Sequence, residues 1–153
     1  MPPIYPRPGV GAAVANDSLE SLIGHVIDRV MGGTDADFDI NVDCDEDHRL
    51  NCDSGLAELL IESVVRSAVR EMPGGGELSI ASVRCDDGRI EIEVADTGSD
   101  VQTRFQSRPL VAAKLNAELR WQNCPQGGGA VTIAFPKSVA ASRSATSSNA
   151  RAA

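Results

Sequence analysis

The stretch VADTGSD, residues 94–100, ends an alternating apolar run with an aspartate and a glycine two residues apart. A carboxylate at a strand end can accept a hydrogen bond from an exocyclic amine, and a neighbouring glycine lets backbone approach a flat ring. Asp96 and Gly98 are therefore the first candidate pair. Taken alone, Asp-x-Gly also suits a plain turn. A second polar set lies upstream, where Ser63, Ser67, Arg70 and Glu71 recur at helical spacing and share one face.

The elements that must position these residues are well punctuated. Asp17 or Ser18 can cap a helix over SLESLIGHVIDRVM that turns Leu19, Leu22, Ile23, Val26 and Val30 to one side, and Gly32 and Gly33 stop it. FDINVDC alternates as a half-buried strand, the acidic turn DEDH follows, and RLNCD reads as a short return strand. Ser54 opens the longest helix, about residues 55–72, with an apolar stripe of Leu56, Leu59, Leu60, Val64, Val65, Ala68, Val69 and Met72. Pro73 and glycines 74–76 end it. ELSIASVRC and RIEIEVA flank Asp86-Asp87-Gly88 as a hairpin. A helix over about 109–117 precedes a last hairpin, ELRWQNC and AVTIAF around PQGGG. Helices alternating with strand pairs in this way suit an α+β fold with helices on one face of a mixed or antiparallel sheet.

The Pro/Gly/Ala-rich residues 1–16 and the Ser/Ala/Arg-rich residues 138–153 read as disordered tails around one domain over 17–137. The net charge of −8 disfavours nucleic acid and anionic lipid as partners, since both attract basic surfaces. No apolar run approaches the roughly 20 residues that span a bilayer, and prolines interrupt the N-terminus where a signal peptide needs an apolar stretch. A cytoplasmic location is the resulting expectation. Cys44, Cys52, Cys85 and Cys124 form no C-x-x-C pair, so they read as small buried side chains and not as zinc ligands.

Two other motifs fall short of a site. The run DCDEDHRLNCD has the carboxylate spacing of a calcium loop, but His48 stands where the sharp-turn glycine belongs and Ser54 where the bidentate glutamate belongs. It reads as a solvated turn with His48 exposed, and no metal site is assigned. PPIYPRP can serve as a polyproline ligand or simply be disordered. His25, in GHVIDRV, reads as a partly buried helix residue.

In order, VVRSAVREMPGGGELSI, IEIEVADTG and GGGAVTIAFP resemble the asparagine-box helix, first glycine box and closing strand of the ATP-binding catalytic domain of histidine kinases, within the superfamily that includes gyrase, Hsp90 and MutL. The resemblance covers roughly residues 18–137. It implies a two-layer α/β sandwich of the Bergerat type, a mixed sheet of about five to six strands with three helices on one face. The nucleotide site then lies between the long helix and a lid.

Carried across residue by residue, that site is damaged. The family's asparagines fall on Ser63 and Ser67, and the second normally helps hold Mg²⁺ beside the phosphates. Arg70 keeps a positive charge where lysine is common. Asp96 and Gly98 match the adenine-reading pair, but the next glycine is replaced by Asp100, whose carboxylate repels phosphates. The lid shrinks to SDVQTRFQSR, with no glycine between Gly98 and Gly127 to supply backbone donors to phosphates. A charge-assisted hydrogen bond from Asp96 supplies ~1.5–3 kcal/mol, whereas micromolar binding needs about 8 kcal/mol.

The histidine box that normally carries the phosphoacceptor is also missing around His25 and His48. The expectation is a stand-alone, degenerate bacterial module without ATP turnover, with Asp96, Gly98, Ser67 and Arg70 as a vestigial nucleotide site and no catalytic residue. No cofactor is expected, ATP and Mg²⁺ entering only if the site is retained. The expected partner is a kinase dimerisation module or a response regulator, met by a surface around Ser67, Arg70, Asp96 and Phe105. Two alternatives stand beside it: a catalytic domain phosphorylating a histidine on another chain, and an anti-sigma serine kinase. The latter usually has a glutamate four residues before the metal-binding asparagine, whereas Glu62 is five before Ser67.

Overall fold

The computed structural model describes residues 18–137, so both proposed tails and PPIYPRP lie outside the described residues. Helix α1 spans Leu19–Met31 and strand β1 Phe38–Asp43. The long helix α2, Ser54–Arg70, leads into β2, Gly76–Arg84, and β3, Ile90–Asp96. A 3₁₀ turn at Val101–Thr103 and the short helix α3, Leu110–Lys114, precede β4, Glu118–Asn123, and β5, Gly129–Ala134. None of the described helices is long and apolar enough to cross a membrane.

Five strands form one mixed sheet in the order β1-β2-β3-β5-β4. Only β1 and β2 run parallel, because α2 is the crossover between them. The hairpins β2–β3 and β4–β5 and the inner pair β3–β5 are antiparallel. Alternation sorts the two faces: Leu78, Ile80, Ile92, Val94, Ile133 and Leu119 point under the helices and are at most 3% exposed. Ile23 and Val26 of α1 and Leu60, Ile61 and Val65 of α2 meet them. With few aromatics, the core is an aliphatic layer one side chain deep on each element.

Ends and turns follow the chemistry of their residues. Ser18 caps α1, its Oγ accepting from Ser21 N–H at 3.1 Å. Asp53, not Ser54, caps α2, accepting from Leu56 N–H at 2.9 Å. Gly88 turns the Asp-Asp-Gly hairpin with φ 92°, a conformation side chains rarely adopt.

Several expectations are corrected. RLNCD is not a strand, so the sheet has five strands and β1 remains an edge. Leu50 and Cys52 pack against the core instead of pairing with β1, and the carbonyl of His48 accepts from Leu19 N–H at 3.0 Å at the start of α1. Helix α3 has five residues, shorter than the expected span over about 109–117. On α2, Leu59 is 58% exposed while Ile61 is fully buried, a turn of the stripe toward α1. His25 is exposed and His48 buried, the reverse of expectation. Of the cysteines, Cys44 is buried and the other three are half-buried, all as free thiols.

Candidate functional site

Asp96 closes β3, and its side chain is completely buried. The residue that buries it is Arg104, which reaches back from the eight-residue-distant lid with a side chain only 5% exposed. Its Nη1 donates to Oδ2 at 2.8 Å and its Nη2 to Oδ1 at 2.6 Å, a two-pronged guanidinium–carboxylate pair. Gly98 N–H donates to the same Oδ1 at 2.8 Å. The pairing with Asp96 holds the Arg104 guanidinium above its ordinary pKa.

The lid is built to hold that arginine. Its Nε donates to the Ser99 carbonyl at 3.0 Å, and Nη2 to the same oxygen at 2.5 Å. Ser99 Oγ donates to Glu71 Oε1, whose carboxylate stands 3.8 Å from Arg104 Nε. Below, Gly129 makes the room: a Cβ there would lie 2.9 Å from the guanidinium carbon. Asn123 at the end of β4 anchors the lid's 3₁₀ turn by accepting from Val101 N–H at 2.8 Å and donating to Gln102 at 2.9 Å. Gly128, at φ 87°, passes so close that a Cβ would sit 1.9 Å from the Asp96 carbonyl oxygen.

Between α2 and the lid there remains a shallow cleft lined by Ser63, Ser67, Glu71, Arg104, Phe105 and Trp121. Its free volume of about 30 Å³ is one water's worth. Ligand pockets run from about 300 Å³ upward. Arg108 stacks at 4.8 Å over Trp121, which lines the cleft. Phe105 at 89% exposure and Leu110 at 74% stand out into solvent at the rim.

The expected site residues thus separate. Ser67 lines the cleft, while Arg70 is exposed on α2 and donates to Ser67 Oγ at 3.0 Å. Gly98 packs against the C-terminal end of α2, where a Cβ would meet the Glu71 carbonyl at 2.6 Å. Asp96 is internal and takes no part in the outer surface where it was expected beside Ser67, Arg70 and Phe105. An adenine does not fit these residues as they stand. The carboxylate expected to read its amine is sealed behind Arg104, and the cleft between α2 and the lid offers only about 30 Å³.

Arg104 was not singled out from the sequence. The one available signal was an arginine in a lid without glycines, eight residues after a strand-end aspartate. Glu71 was placed on the polar face of α2 with no role given to it.

No protein-family model and no curated protein matches the sequence. Solved structures do match. A structure of the mycobacterial sensor histidine kinase MprB superposes with a TM-score of 0.66 at 21% identity, covering 79% of this chain and 95% of that one. The nucleotide-free catalytic domain of the histidine kinase ThkA gives 0.62 at 16% identity, over 79% and 94%. For the blue-light activated histidine kinase of Erythrobacter litoralis the score is 0.60 at 20% identity, and this chain spans only 45% of that protein's chain. At such identities it is the arrangement of sheet and helices that is shared. The fold of this chain is that of the histidine-kinase catalytic domain.

Proposed function

We propose that this protein uses a histidine-kinase-type catalytic fold as a regulatory, protein-binding module in two-component signalling, without binding or turning over ATP. One observation carries the reading: the Asp96 carboxylate, where the fold would read adenine, is already satisfied by Arg104 from the same chain. Two supports stand beside it. The helix offers Ser67 where the resemblance places the Mg²⁺-holding asparagine, a hydroxyl in place of a side-chain carbonyl oxygen. Phe105 of the lid and Leu110 at the start of α3 also stand exposed, with Leu59 one turn before Ser63 on α2. Exposed apolar side chains beside a shallow groove suit an amphipathic helix laid against them, the chemistry a kinase dimerisation module would offer.

Calorimetry with ATP and ADP, with and without Mg²⁺, on the wild type and on Asp96→Asn, tests the first half. No heat up to millimolar nucleotide is expected. Micromolar binding that requires Asp96 would overturn the reading and make this a kinase domain acting on another chain's histidine. The second half is tested by titrating isolated dimerisation modules and response regulators from the same genome. Binding is expected to weaken at least tenfold in Phe105→Ala, and no binding to any of them would refute it.

A further inference from the structure

The acidic connection between β1 and α2 lies at the opposite end of the sheet from Asp96. Ser82, which faces this connection, pairs with Ile92 in the β2–β3 register, whereas Asp96 pairs with Leu78. Four residues of strand put the two regions on the order of 13 Å apart. Nothing in the proposed function uses this end.

His48 is the unexpected feature there. It is only 6% exposed, in a segment whose neighbours Asp45 and Asp47 are exposed. Its Nδ1 is engaged with Ser82 Oγ at 2.8 Å, which fixes the ring. That leaves Nε2 facing Asp45 Oδ2 at 3.8 Å, too far for a hydrogen bond. Carboxylate oxygens of Asp45 and Asp47 and a ring nitrogen of His48 all lie within 4.8 Å of one another. Two ligand atoms each ~2.1 Å from one tetrahedral zinc stand ~3.4 Å apart, so a small rotation of the exposed aspartates closes the set.

Surrounding chemistry agrees. Glu20, Asp43 and Glu46 line the adjoining hollow with Asp45 and give it a negative field that draws cations. Arg84 donates to the backbone carbonyl of Asp47 at 3.3 Å and so leaves the Asp47 carboxylate to other partners. Imidazole with two carboxylates selects a borderline transition ion over calcium or magnesium, and an imidazole held through its other nitrogen is the usual supporting arrangement for a metal ligand.

We propose that Asp45, Asp47 and Nε2 of His48 bind one divalent transition metal, zinc first, with water completing the coordination. The ion would brace the turn over residues 45–48, whose His48 is already held to β2 through Ser82 and to the start of α1 through its carbonyl. This proposal stands apart from the signalling role and does not depend on it.

The test titrates the full chain with Zn²⁺ by calorimetry against a chelator of known affinity, and repeats it with Co²⁺ read by absorption. Expected are one zinc per chain, a raised Tm with zinc, and a cobalt spectrum without a thiolate charge-transfer band. The double substitution Asp45→Asn/Asp47→Asn, at exposed positions that leave the fold intact, should weaken zinc at least tenfold and abolish the Tm rise. His48→Gln should do the same, with circular dichroism confirming that it remains folded. No zinc binding, zinc binding unchanged by the double substitution, calcium binding as tight as zinc, or a thiolate–cobalt band would each overturn the proposal.

Discussion

Removing the Arg104 guanidinium should unmask how much the domain relies on a single pair. The substitution is Arg104→Met, which keeps apolar bulk while deleting both bonds to Asp96. The carboxylate stays completely buried and retains one donor, Gly98 N–H. Breaking a buried ion pair from one side costs about 3–5 kcal/mol, because the abandoned charge has lost its solvent as well as its partner. A domain of this size has only about 5–15 kcal/mol in total. Adding Asp96→Asn should return about 2 kcal/mol or more, since the amide carries no charge and can still accept from Gly98. Urea unfolding followed by circular dichroism measures both variants and the Asp96→Asn single, closing a double-mutant cycle. If Arg104→Met costs under about 1 kcal/mol, or if Asp96→Asn gives no relief, the pair is not the buried lock described above.

Three further outcomes follow from the local geometry. Gly127 and Gly128 both have positive φ, 100° and 87°, but only Gly128 faces a close backbone neighbour. Gly127→Ala should cost about 1–2 kcal/mol from strain alone, and Gly128→Ala about 1–3 kcal/mol more from the clash with Asp96; equal urea midpoints would contradict this. Glu62 accepts from Arg66 and Arg29, and Arg66 followed by Arg29 holds its carboxyl below the usual range. A lowered folded pKa adds stability above the unfolded value of about 4.3, and that stability is lost as pH falls through the folded value. Glu62→Gln should therefore cost about 1 kcal/mol at pH 7 and progressively less as pH falls below the unfolded value, and a gap that stays constant on acidification would refute it. Burial, with Asp53 nearby, pushes the Cys52 thiol up to about 11. Its thiolate fraction at pH ~8 is then on the order of a hundredfold below that of an unfolded cysteine, and alkylation read by mass spectrometry should show that lag; labelling at the unfolded rate would rule it out.

What the sequence disclosed and what it hid divide along the range of the forces involved. Helical periodicity placed α1 and α2, and Asp86-Asp87-Gly88 placed the β2–β3 hairpin, because those signals are local to each element. Leu59 and Ile61 exchanged roles because both fit an apolar stripe, and only the position of α1 decides which one faces in. His48 was misread because its neighbours are acidic and exposed; its ring turns inward to bond Ser82, thirty-four residues away. RLNCD has strand-like composition, yet its apolar side chains pack on the core and its backbone does not pair with β1. At the site, Asp96 and Gly98 were visible as a pattern, and the missing glycines of the lid were visible as an absence. The identity of what replaces a ligand was not, because it depends on how a ten-residue loop folds back over a strand end.

That loop makes Arg104 a ligand on a tether. It joins the chain eight residues from the carboxylate it grips, so its local concentration at Asp96 is on the order of millimolar or higher, whatever the concentration of the protein. A diffusing molecule that matched the guanidinium bond for bond would still have to exceed that concentration to hold the carboxylate half the time. It would also forfeit translational freedom that the tethered side chain gave up when the chain was made. Occupancy of the carboxylate by Arg104 is thereby written into the polypeptide, and any small molecule that reached for it would first have to out-compete a side chain of the same chain.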